Sequence, residues 1–313
     1  ARKMVGVRGI LTVLLVVGYV SHAGGFGITA GLRPVRRSAG ALGLACSAKK
    51  GKKLTRKEKE AAAKAAKLSG GTAGQAAADG GAGITVDLSK HLGVDLETPG
   101  LRLAWSDPPV FTVDRLISDE ECDRFREAAL NWEESDDAVQ VASATFGGGA
   151  TAANRQSTTW YLKYKAAREL VKGAMKLLPE IAVSQCEEPQ VVRYEMGDFF
   201  SWHEDKVPPT ALENGGQRLA TLLVYLNDVP DSGGGATTFK DFPVKVVPKK
   251  GSALLFFPAF RDGEPDGRTV HAGAPAFEVK WIAQMWIHER PYKPVIPPGN
   301  EHEDADALGF TGR

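Results

Sequence analysis

The spacing of hydrophobic and polar residues divides the chain into a helical part and a later, strand-rich part. Ser118 is followed three residues later by Glu121, which is the form of a capping box and predicts a helix from 118 to about 130. A second helix is predicted at 166–178, where Pro179 ends it. Short apolar runs bounded by turn residues predict strands at 111–113, 189–194, 219–226, 236–239, 251–257, 269–272 and 280–288. Helices followed by many short strands indicate the α+β class, with the strands forming a sandwich or barrel.

The first residues have the pattern of a targeting segment. Basic residues precede an apolar run at 10–20, and the small residues at 21–23 suit a cleavage site, so we predict a signal peptide within residues 1–32. The alternative is an uncleaved membrane anchor, because residues 9–32 carry no charge and are about long enough to cross a bilayer. A membrane is expected as a partner only if this segment is such an anchor.

Residues 33–100 differ in composition from the rest of the chain. Their first part is basic, poor in acidic residues and rich in Ala, Gly and Ser, as in organelle transit peptides, whereas 69–83 is Gly/Ala-rich and predicts a flexible linker. A signal peptide followed by a transit peptide predicts a plastid location through a bipartite leader. The alternative, a disordered secretory linker, predicts the secretory pathway and the endoplasmic reticulum. We expect one folded domain at 101–292 and a C-terminal tail at 293–313.

The overall composition is that of an ordinary globular protein. The 313 residues carry a formal net charge of +1 and are 43% hydrophobic. The mixed-charge run at 54–67 predicts a solvated helix, and its basic residues have no interleaved aromatic residues, so we expect no nucleic-acid partner. The cysteines Cys46, Cys122 and Cys186 are too few for a disulfide scaffold, and the folded domain can hold either a Cys122–Cys186 bridge or two buried thiols.

Candidate metal ligands occur at three positions. His203 and Asp205 are two residues apart, so an extended backbone places both side chains on one face, and His271 lies in a separate predicted strand. Two imidazoles and one carboxylate suit non-haem Fe(II) and leave positions open for a bidentate keto acid and dioxygen. A His-x-Asp pattern alone is common, but Lys280 follows His271 across a predicted turn and can return its ammonium to the same cavity as the counter-charge of a dicarboxylate. The alternative for Lys280 is an exposed strand lysine.

A series of motifs accompanies these residues in a fixed order. They are ISDEECD at 117–123, QVVRY at 190–194, RLAT at 218–221, YLND at 225–228, GGATTF at 234–239, PKKG at 248–251, HAGAP at 271–275, KW at 280–281 and WIHE at 286–289. From about residue 111 to residue 290 the chain is similar to the prolyl 4-hydroxylase family of Fe(II)/2-oxoglutarate-dependent dioxygenases. None of the first hundred residues takes part in this resemblance.

The resemblance implies a double-stranded β-helix, or jelly-roll, core supported by N-terminal helices. It also implies that His203, Asp205 and His271 bind Fe(II) and that Lys280 pairs with the C5 carboxylate of 2-oxoglutarate, so that these four are the catalytic residues. Tyr194 is expected to donate a second hydrogen bond to that carboxylate. The implied cofactors are Fe(II), 2-oxoglutarate, O2 and ascorbate.

Further positions are expected around the cosubstrate and the substrate. Thr221 is expected to line the cosubstrate pocket and Trp286 to pack against it, with a plain strand position and core packing as the alternatives. The Gly-rich segment 143–159 predicts a mobile lid, and its Asn-Arg-Gln-Ser sequence resembles the family's Arg-x-Ser segment, which makes Arg155 a candidate substrate contact. The alternative for Arg155 is an exposed loop arginine. A second flexible segment at 207–217 is expected to flank the same opening.

One spacing departs from the family pattern. Lys280 lies nine residues after His271, one fewer than is usual in the family, and we expect a tighter turn to absorb the difference.

The activity implied is hydroxylation of peptidyl proline with release of succinate and CO2, as in procollagen-proline 4-dioxygenases, so the expected partner is a Pro-containing peptide or protein. Asp205 favours hydroxylation, because related halogenases have a small residue at the corresponding position. Lys280 favours the prolyl branch, because lysyl hydroxylases and nucleic-acid demethylases typically present an arginine to the cosubstrate. The alternatives are a 2-oxoglutarate oxygenase acting on another peptide residue or a small molecule, and a non-catalytic module that binds Pro-rich peptides. A zinc hydrolase with the same triad lacks an obvious general base.

Overall fold

The computed structural model describes residues 85–141 and 154–295. Within these ranges it contains two α-helices, α1 (Asp119–Leu130) and α2 (Arg168–Leu177). The strands are β1 (Leu101–Ser106), β2 (Pro109–Val113), β3 (Ala138–Val141), β4 (Thr158–Leu162), β5 (Gln190–Tyr194), β6 (Phe200–His203), β7 (Arg218–Tyr225), β8 (Thr237–Phe239), β9 (Lys245–Val246), β10 (Ala253–Phe256), β11 (His271–Gly273) and β12 (Lys280–His288). The predicted leader, the helix at 54–67, the linker at 69–83, most of the predicted lid and the tail from 296 lie outside the described residues.

Helix α1 begins where the capping box predicts. The Ser118 hydroxyl accepts a hydrogen bond from the backbone N–H of Glu121 at 3.2 Å, and the acidic residues of the first turn lie at the positive end of the helix dipole. The buried side chains Cys122, Phe125 and Ala129 recur every three to four residues. One face of α1 therefore packs into the main hydrophobic core.

The strands form two antiparallel sheets. The large sheet has the order β1-β2-β10-β7-β12-β5-β4-β3, and the small sheet has the order β6-β11-β8-β9. From β5 to β12 the chain passes back and forth between them, because β5, β7, β10 and β12 belong to the large sheet and the intervening strands to the small one. This connectivity is that of a double-stranded β-helix, so the α+β class and the jelly-roll core are confirmed.

Alternating side chains of the large sheet enter two different cores. In β7, Leu222 and Val224 belong to the core that includes the helices, while Leu223 and Tyr225 belong to a second core that also includes Phe239 of the small sheet. A strand buried on both faces needs a nearly continuous apolar sequence, which β7 has. The core shared by the two sheets is the one that borders the candidate site.

Residues before the predicted domain start also pack on the domain. The sequence places them in the linker at 33–100, whereas in the structure Leu92 and Val94 are buried in the main core. The Arg261 guanidinium donates to the backbone carbonyl of His91 at 2.9 and 3.1 Å, and the backbone N–H of Asp95 donates to the carbonyl of Leu177. These tertiary contacts hold residues 91–95 against the domain, although their sequence has no periodic pattern of apolar residues.

Several short strands are not among those that the pattern predicts. β3, β4, β6 and β9 are two to five residues long, and β6 has the mixed sequence Phe-Ser-Trp-His. They are defined by pairing with neighbours, such as β4 with β5 and β6 with β11.

Among the described residues, no helix combines the length and the apolarity needed to cross a bilayer.

The two cysteines of the described domain are separate thiols. Cys122 and Cys186 are both free and buried, so the bridge between them is not formed. Burial raises the pKa of Cys122 to about 11 and that of Cys186 to about 12, so both stay protonated near neutral pH.

Candidate metal centre and cleft

The three predicted metal ligands lie together at one end of the small sheet. His203 ends β6, His271 begins β11, and the two are direct partners across the antiparallel pair. Asp205 follows β6 by two residues. One possible ligand atom from each of the three side chains lies within 4.8 Å of the other two. Within the described part of the chain, this is the group of His, Cys, Asp and Glu side chains that could hold a metal ion.

Backbone carbonyls orient both imidazole rings. Nδ1 of His203 lies 2.8 Å from the Ser201 carbonyl oxygen, and Nδ1 of His271 lies 3.1 Å from that of Thr269. Because a carbonyl can only accept, Nδ1 carries the proton in each ring and Nε2 presents its lone pair. The two Nε2 atoms lie 3.6 and 3.7 Å from the carboxylate oxygens of Asp205, too far for a hydrogen bond and suitable for a shared ion.

The protonation of these groups also suits metal binding. Burial lowers the pKa of His203, and the neighbouring His271 lowers it further, so the ring is neutral. Burial alone would raise the pKa of Asp205, but the two imidazoles and the Arg218 guanidinium outweigh it and lower the pKa. Neutral imidazoles and an ionised carboxylate are the forms that bind a divalent cation, so this donor set fits Fe(II).

Aromatic rings hold the histidines in place. Phe200 stacks on His203 with the ring centroids 3.5 Å apart and the planes 11° from parallel. The edge of Phe256 meets His271 at 4.7 Å. Neither phenylalanine can be identified from the sequence alone, because each has the pattern of an ordinary core residue until the strands are paired.

Thr221 and Trp286 both approach the carboxylate ligand. They are opposite each other on β7 and β12, and the Thr221 hydroxyl donates to Asp205 Oδ2 at 2.8 Å. Trp286 lines the cleft beside the triad and is 7% exposed. From its position on the large sheet, Thr221 thus fixes the orientation of the Asp205 carboxylate. That Thr221 also lines the cosubstrate pocket stays a prediction.

Lys280 begins β12, opposite Tyr194 of β5, and its side chain is only 2% exposed. Its Nζ lies 5.1 Å from the ring centre of Tyr194 and 5.7 Å from that of Tyr225. No carboxylate of the described residues lies within ion-pair distance of it, and burial lowers the pKa of Lys280 to about 7. Gly235 has a φ of +66°, and a Cβ there would lie 3.1 Å from Lys280 Cδ, so the absence of a side chain leaves space for the aliphatic part of the lysine.

The alternative of an exposed strand lysine is wrong. Although Lys280 follows His271 by one residue fewer than is usual in the family, its side chain is buried in the interior.

A pair of hydroxyl groups lies near this lysine. The Tyr225 hydroxyl donates to Thr237 Oγ1 at 2.9 Å, which leaves the threonine proton free to point elsewhere. Thr237 is the cross-strand partner of Gly273, and a Cβ on Gly273 would lie 4.0 Å from Lys280 Nζ. The Tyr225–Thr237 pair therefore lies in the same part of the second core as Lys280, whose Nζ is 5.7 Å from the centre of the Tyr225 ring. The sequence did not predict a role for Thr237 or Tyr225, although they lie within the GGATTF and YLND motifs.

Arg155 is 5% exposed and lies in the site, so the alternative of an exposed loop arginine is wrong. Its Nε donates to the Ser157 hydroxyl at 2.9 Å and its Nη2 to the Thr159 hydroxyl at 3.2 Å. The guanidinium carbon lies 4.7 Å from the ring centre of Phe200, the ring that stacks on His203. Arg155 is thus positioned at the wall of the cleft, next to the metal ligands.

The triad opens into a cleft of about 770 Å³. Two of its lining residues belong to a buried charged group: Glu187 accepts hydrogen bonds from the Arg218 guanidinium at 2.5 and 2.7 Å, and His288 Nε2 lies 2.9 Å from the same carboxylate. Burial would raise the pKa of Glu187, but Arg218 and His288 lower it, so the pair stays ionised. The Arg218 guanidinium also covers the Trp286 ring at 3.7 Å.

This charged group was not predicted. A possible signal is the presence of Glu187 and Arg218 at the borders of two apolar strands, where a charge is costly unless it has a partner.

The second segment predicted to be flexible, 207–217, is joined at its two ends. Gln217 Oε1 accepts a hydrogen bond from the backbone N–H of Val207, and Gln217 Nε2 donates one to the Val207 carbonyl.

Comparisons with known proteins agree on one family. A sequence model of the 2OG-Fe(II) oxygenase superfamily matches residues 189–288. The chain is 32% identical over 237 residues to the probable prolyl 4-hydroxylase 6 of Arabidopsis thaliana, covering 67% of this chain and 80% of that one. It is 32% identical over 211 residues to the prolyl 4-hydroxylase subunit alpha-2 of Gallus gallus, covering 64% of this chain but only 38% of that subunit.

A solved structure with a similar chain is the viral collagen prolyl hydroxylase of Paramecium bursaria Chlorella virus-1 in its 2OG complex. It is 27% identical, with a TM-score of 0.46, and the match covers 57% of this chain and 94% of that one.

Proposed function

Because the chain belongs to the prolyl 4-hydroxylase family of 2-oxoglutarate-Fe(II) oxygenases, we propose that it hydroxylates prolyl residues of a peptide or protein. In this reaction 2-oxoglutarate and O2 are consumed, one oxygen atom enters the prolyl C–H bond, and the other enters the succinate that forms with CO2. The observation that carries the proposal is the convergence of His203, Asp205 and His271 with their ligand atoms within 4.8 Å of one another.

Each residue has a proposed task. His203, Asp205 and His271 hold Fe(II), which when bound supplies the activation of dioxygen coupled to oxidative decarboxylation of 2-oxoglutarate. Thr221 keeps the Asp205 carboxylate in one orientation through its hydrogen bond. Orientation of the ligands before the metal arrives reduces the cost of binding it.

Lys280 and Tyr194 are proposed to bind the C5 carboxylate of 2-oxoglutarate. A buried ammonium without a carboxylate partner among the described residues is unfavourable, and a carboxylate from a ligand removes that cost. The Tyr194 ring is buried with its centre 5.1 Å from Lys280 Nζ, and its phenol is proposed to donate a hydrogen bond to the same carboxylate. Lys280 and Tyr194 are both buried beside the aromatic side chains of the second core.

The cleft is proposed to hold the peptide. Trp286 presents an apolar wall next to Asp205, and Arg218 fixes the indole by covering its ring. Arg155 stands at the same opening and is the proposed donor to a peptide carbonyl. An extended Pro-rich peptide is preorganised and fits such an aromatic-lined groove.

The test is succinate release from 2-oxoglutarate in the presence of Fe(II) and ascorbate, with and without Pro-rich peptides. His271→Ala should abolish turnover, whereas His91→Ala, an equally buried histidine outside the site, should retain it. Turnover that survives His271→Ala would refute the metal assignment. Succinate release without hydroxyproline in any peptide would leave the cosubstrate chemistry and refute the prolyl substrate, in favour of another peptide residue or a small molecule.

Ascorbate is proposed as the reductant that supports repeated turnover. We expect the first turnovers to occur without it and sustained succinate release to require it. Equal progress curves with and without ascorbate would contradict this.

Residues 1–32 are proposed to be a signal peptide, followed by a transit-like segment, and the protein is proposed to reach either the endoplasmic reticulum or a plastid. A fusion of residues 1–70 to a fluorescent reporter separates the two destinations. Diffuse fluorescence outside both compartments would refute the leader.

A further inference from the structure

The chain after β12 forms what we call the C-terminal strap, residues 289–295. Backbone hydrogen bonds join it to a short 3-10 helix and to a loop: Tyr292 N–H donates to the Ser184 carbonyl at 2.7 Å, and Arg290 N–H donates to the Gly215 carbonyl at 2.9 Å. A segment without regular structure is held in one place by these bonds.

A side-chain clamp holds the strap at a third point. Asn214 Nδ2 donates to the Lys293 carbonyl at 2.9 Å, and Asn214 Oδ1 accepts from the Lys293 N–H at 2.7 Å. Both backbone groups of Lys293 are therefore satisfied by one amide. Asn214 itself is not part of the cleft wall, so it can be changed without altering the cleft surface.

The strap also contributes to the cleft itself. Tyr292 stacks on His288 with ring centroids 4.5 Å apart, and burial together with the neighbouring Glu188 carboxylate raises the pKa of its hydroxyl. The backbone N–H of Val295 donates to the same carboxylate. Tyr292 and Val295 both line the cleft that starts at the metal ligands.

A chain of contacts gives the position of the strap along the cleft. Asp205 contacts Arg218 through its backbone carbonyl, Arg218 binds Glu187, Glu187 binds His288, and His288 stacks on Tyr292. The strap thus lies several contacts away from the triad. A prolyl residue at the triad and a residue at the strap belong to different positions of one extended peptide, which advances about 3.1 Å per residue.

We propose that the C-terminal strap forms the subsite for a residue that flanks the target proline, and that this subsite selects an apolar residue such as proline. The selection comes from Val295, whose side chain is 62% exposed at the edge of the cleft. Trp202 is also exposed and adds apolar area elsewhere along the same cleft. Burial of this surface against an apolar side chain is favourable, whereas a charged side chain would lose hydration there. The inference rests on the proposed prolyl hydroxylation.

The experiment compares two peptides that differ only in the residues flanking one target proline, which are either apolar or lysine. Wild type should prefer the apolar peptide. In the Val295→Asp variant, the KM for the apolar peptide should rise about tenfold and the KM for the lysine peptide should fall. Its kcat and its KM for 2-oxoglutarate should equal those of wild type. Leu130→Asp, an exposed apolar residue at the end of α1, is the matched control and should change none of these constants.

A second variant tests the strap without changing the cleft wall. Asn214→Ala removes both hydrogen bonds to Lys293 and should raise the KM of the apolar peptide several-fold, with the same KM for 2-oxoglutarate. If both variants hydroxylate the two peptides with the wild-type ratio of KM values, the inference is refuted while prolyl hydroxylation stands. If wild type hydroxylates no prolyl peptide, the proposed function fails and the inference fails with it.

Discussion

Replacement of Lys280 by methionine is expected to stabilise the ligand-free protein and to abolish binding of 2-oxoglutarate. Burial lowers the pKa of Lys280 from its ordinary value of 10.5 to about 7, so between these values the unfolded chain binds a proton that the folded chain lacks. The folded state therefore loses stability as the pH falls from about 10.5 to about 7. Since one pKa unit corresponds to about 1.4 kcal/mol, the loss is about 4 kcal/mol at pH 7 and about 1 kcal/mol at pH 9.5.

The measurement is urea denaturation of wild type and Lys280→Met between pH 6.5 and 9.5, without metal or 2-oxoglutarate. Methionine fills a similar volume without a charge, so the variant should be the more stable protein by about 4 kcal/mol at pH 7, and the advantage should shrink as the pH rises. Lys176→Met, at an exposed position of α2, is the control and should show no such pH dependence.

The same variant separates stability from binding. Calorimetry with Mn(II) in place of Fe(II) should detect 2-oxoglutarate binding to wild type and not to Lys280→Met, because the buried counter-charge of the carboxylate is gone. A stability difference that is constant over the pH range would contradict the lowered pKa of Lys280, and unchanged affinity for 2-oxoglutarate would contradict its pairing with the carboxylate.

Three further outcomes are expected. Tyr225→Phe removes the hydrogen bond to Thr237 near Lys280 and should weaken 2-oxoglutarate binding about threefold to tenfold with little change in kcat, because Thr237 loses the partner that orients it; an unchanged KM for 2-oxoglutarate would show that this pair does not support the Lys280 site. Ser118→Ala removes the cap of α1 and should lower the free energy of unfolding by about 1 kcal/mol, whereas Ser118→Asp should retain most of it. Cys122 and Cys186 should resist alkylation in the native protein at pH 8 and both react in denaturant without reductant, and a mass that shows a bridge would contradict this.

The sequence predicts the triad because its signal is local. His203 and Asp205 are two residues apart, and the motifs around them and around His271 follow the order of a known family. The capping box of α1 is equally local, and the helix starts where it predicts. Long strands such as β7 and β12 also have enough apolar residues to be recognised by themselves.

Features that depend on pairing could not be predicted in the same way. The group of Arg218, Glu187 and His288 joins three segments that are far apart in the sequence, and no local pattern indicates that they meet. The stacking of Phe200 on His203 depends on β6, a strand too short and too polar to be recognised before it pairs. The burial of residues before 101 follows from contacts with the rest of the domain, since their own sequence has no periodicity.

The two histidines of the triad come from β6 and β11, which are neighbours in the small sheet but distant in the chain, while Thr221 reaches Asp205 from the large sheet. A chain with only one of the two sheets formed therefore has an incomplete set of ligands. Metal uptake can serve as a reporter of completed folding, since it has to follow the pairing of segments with large sequence separation. It also follows that added metal stabilises the finished domain by mass action but cannot rescue a chain that ends before β11.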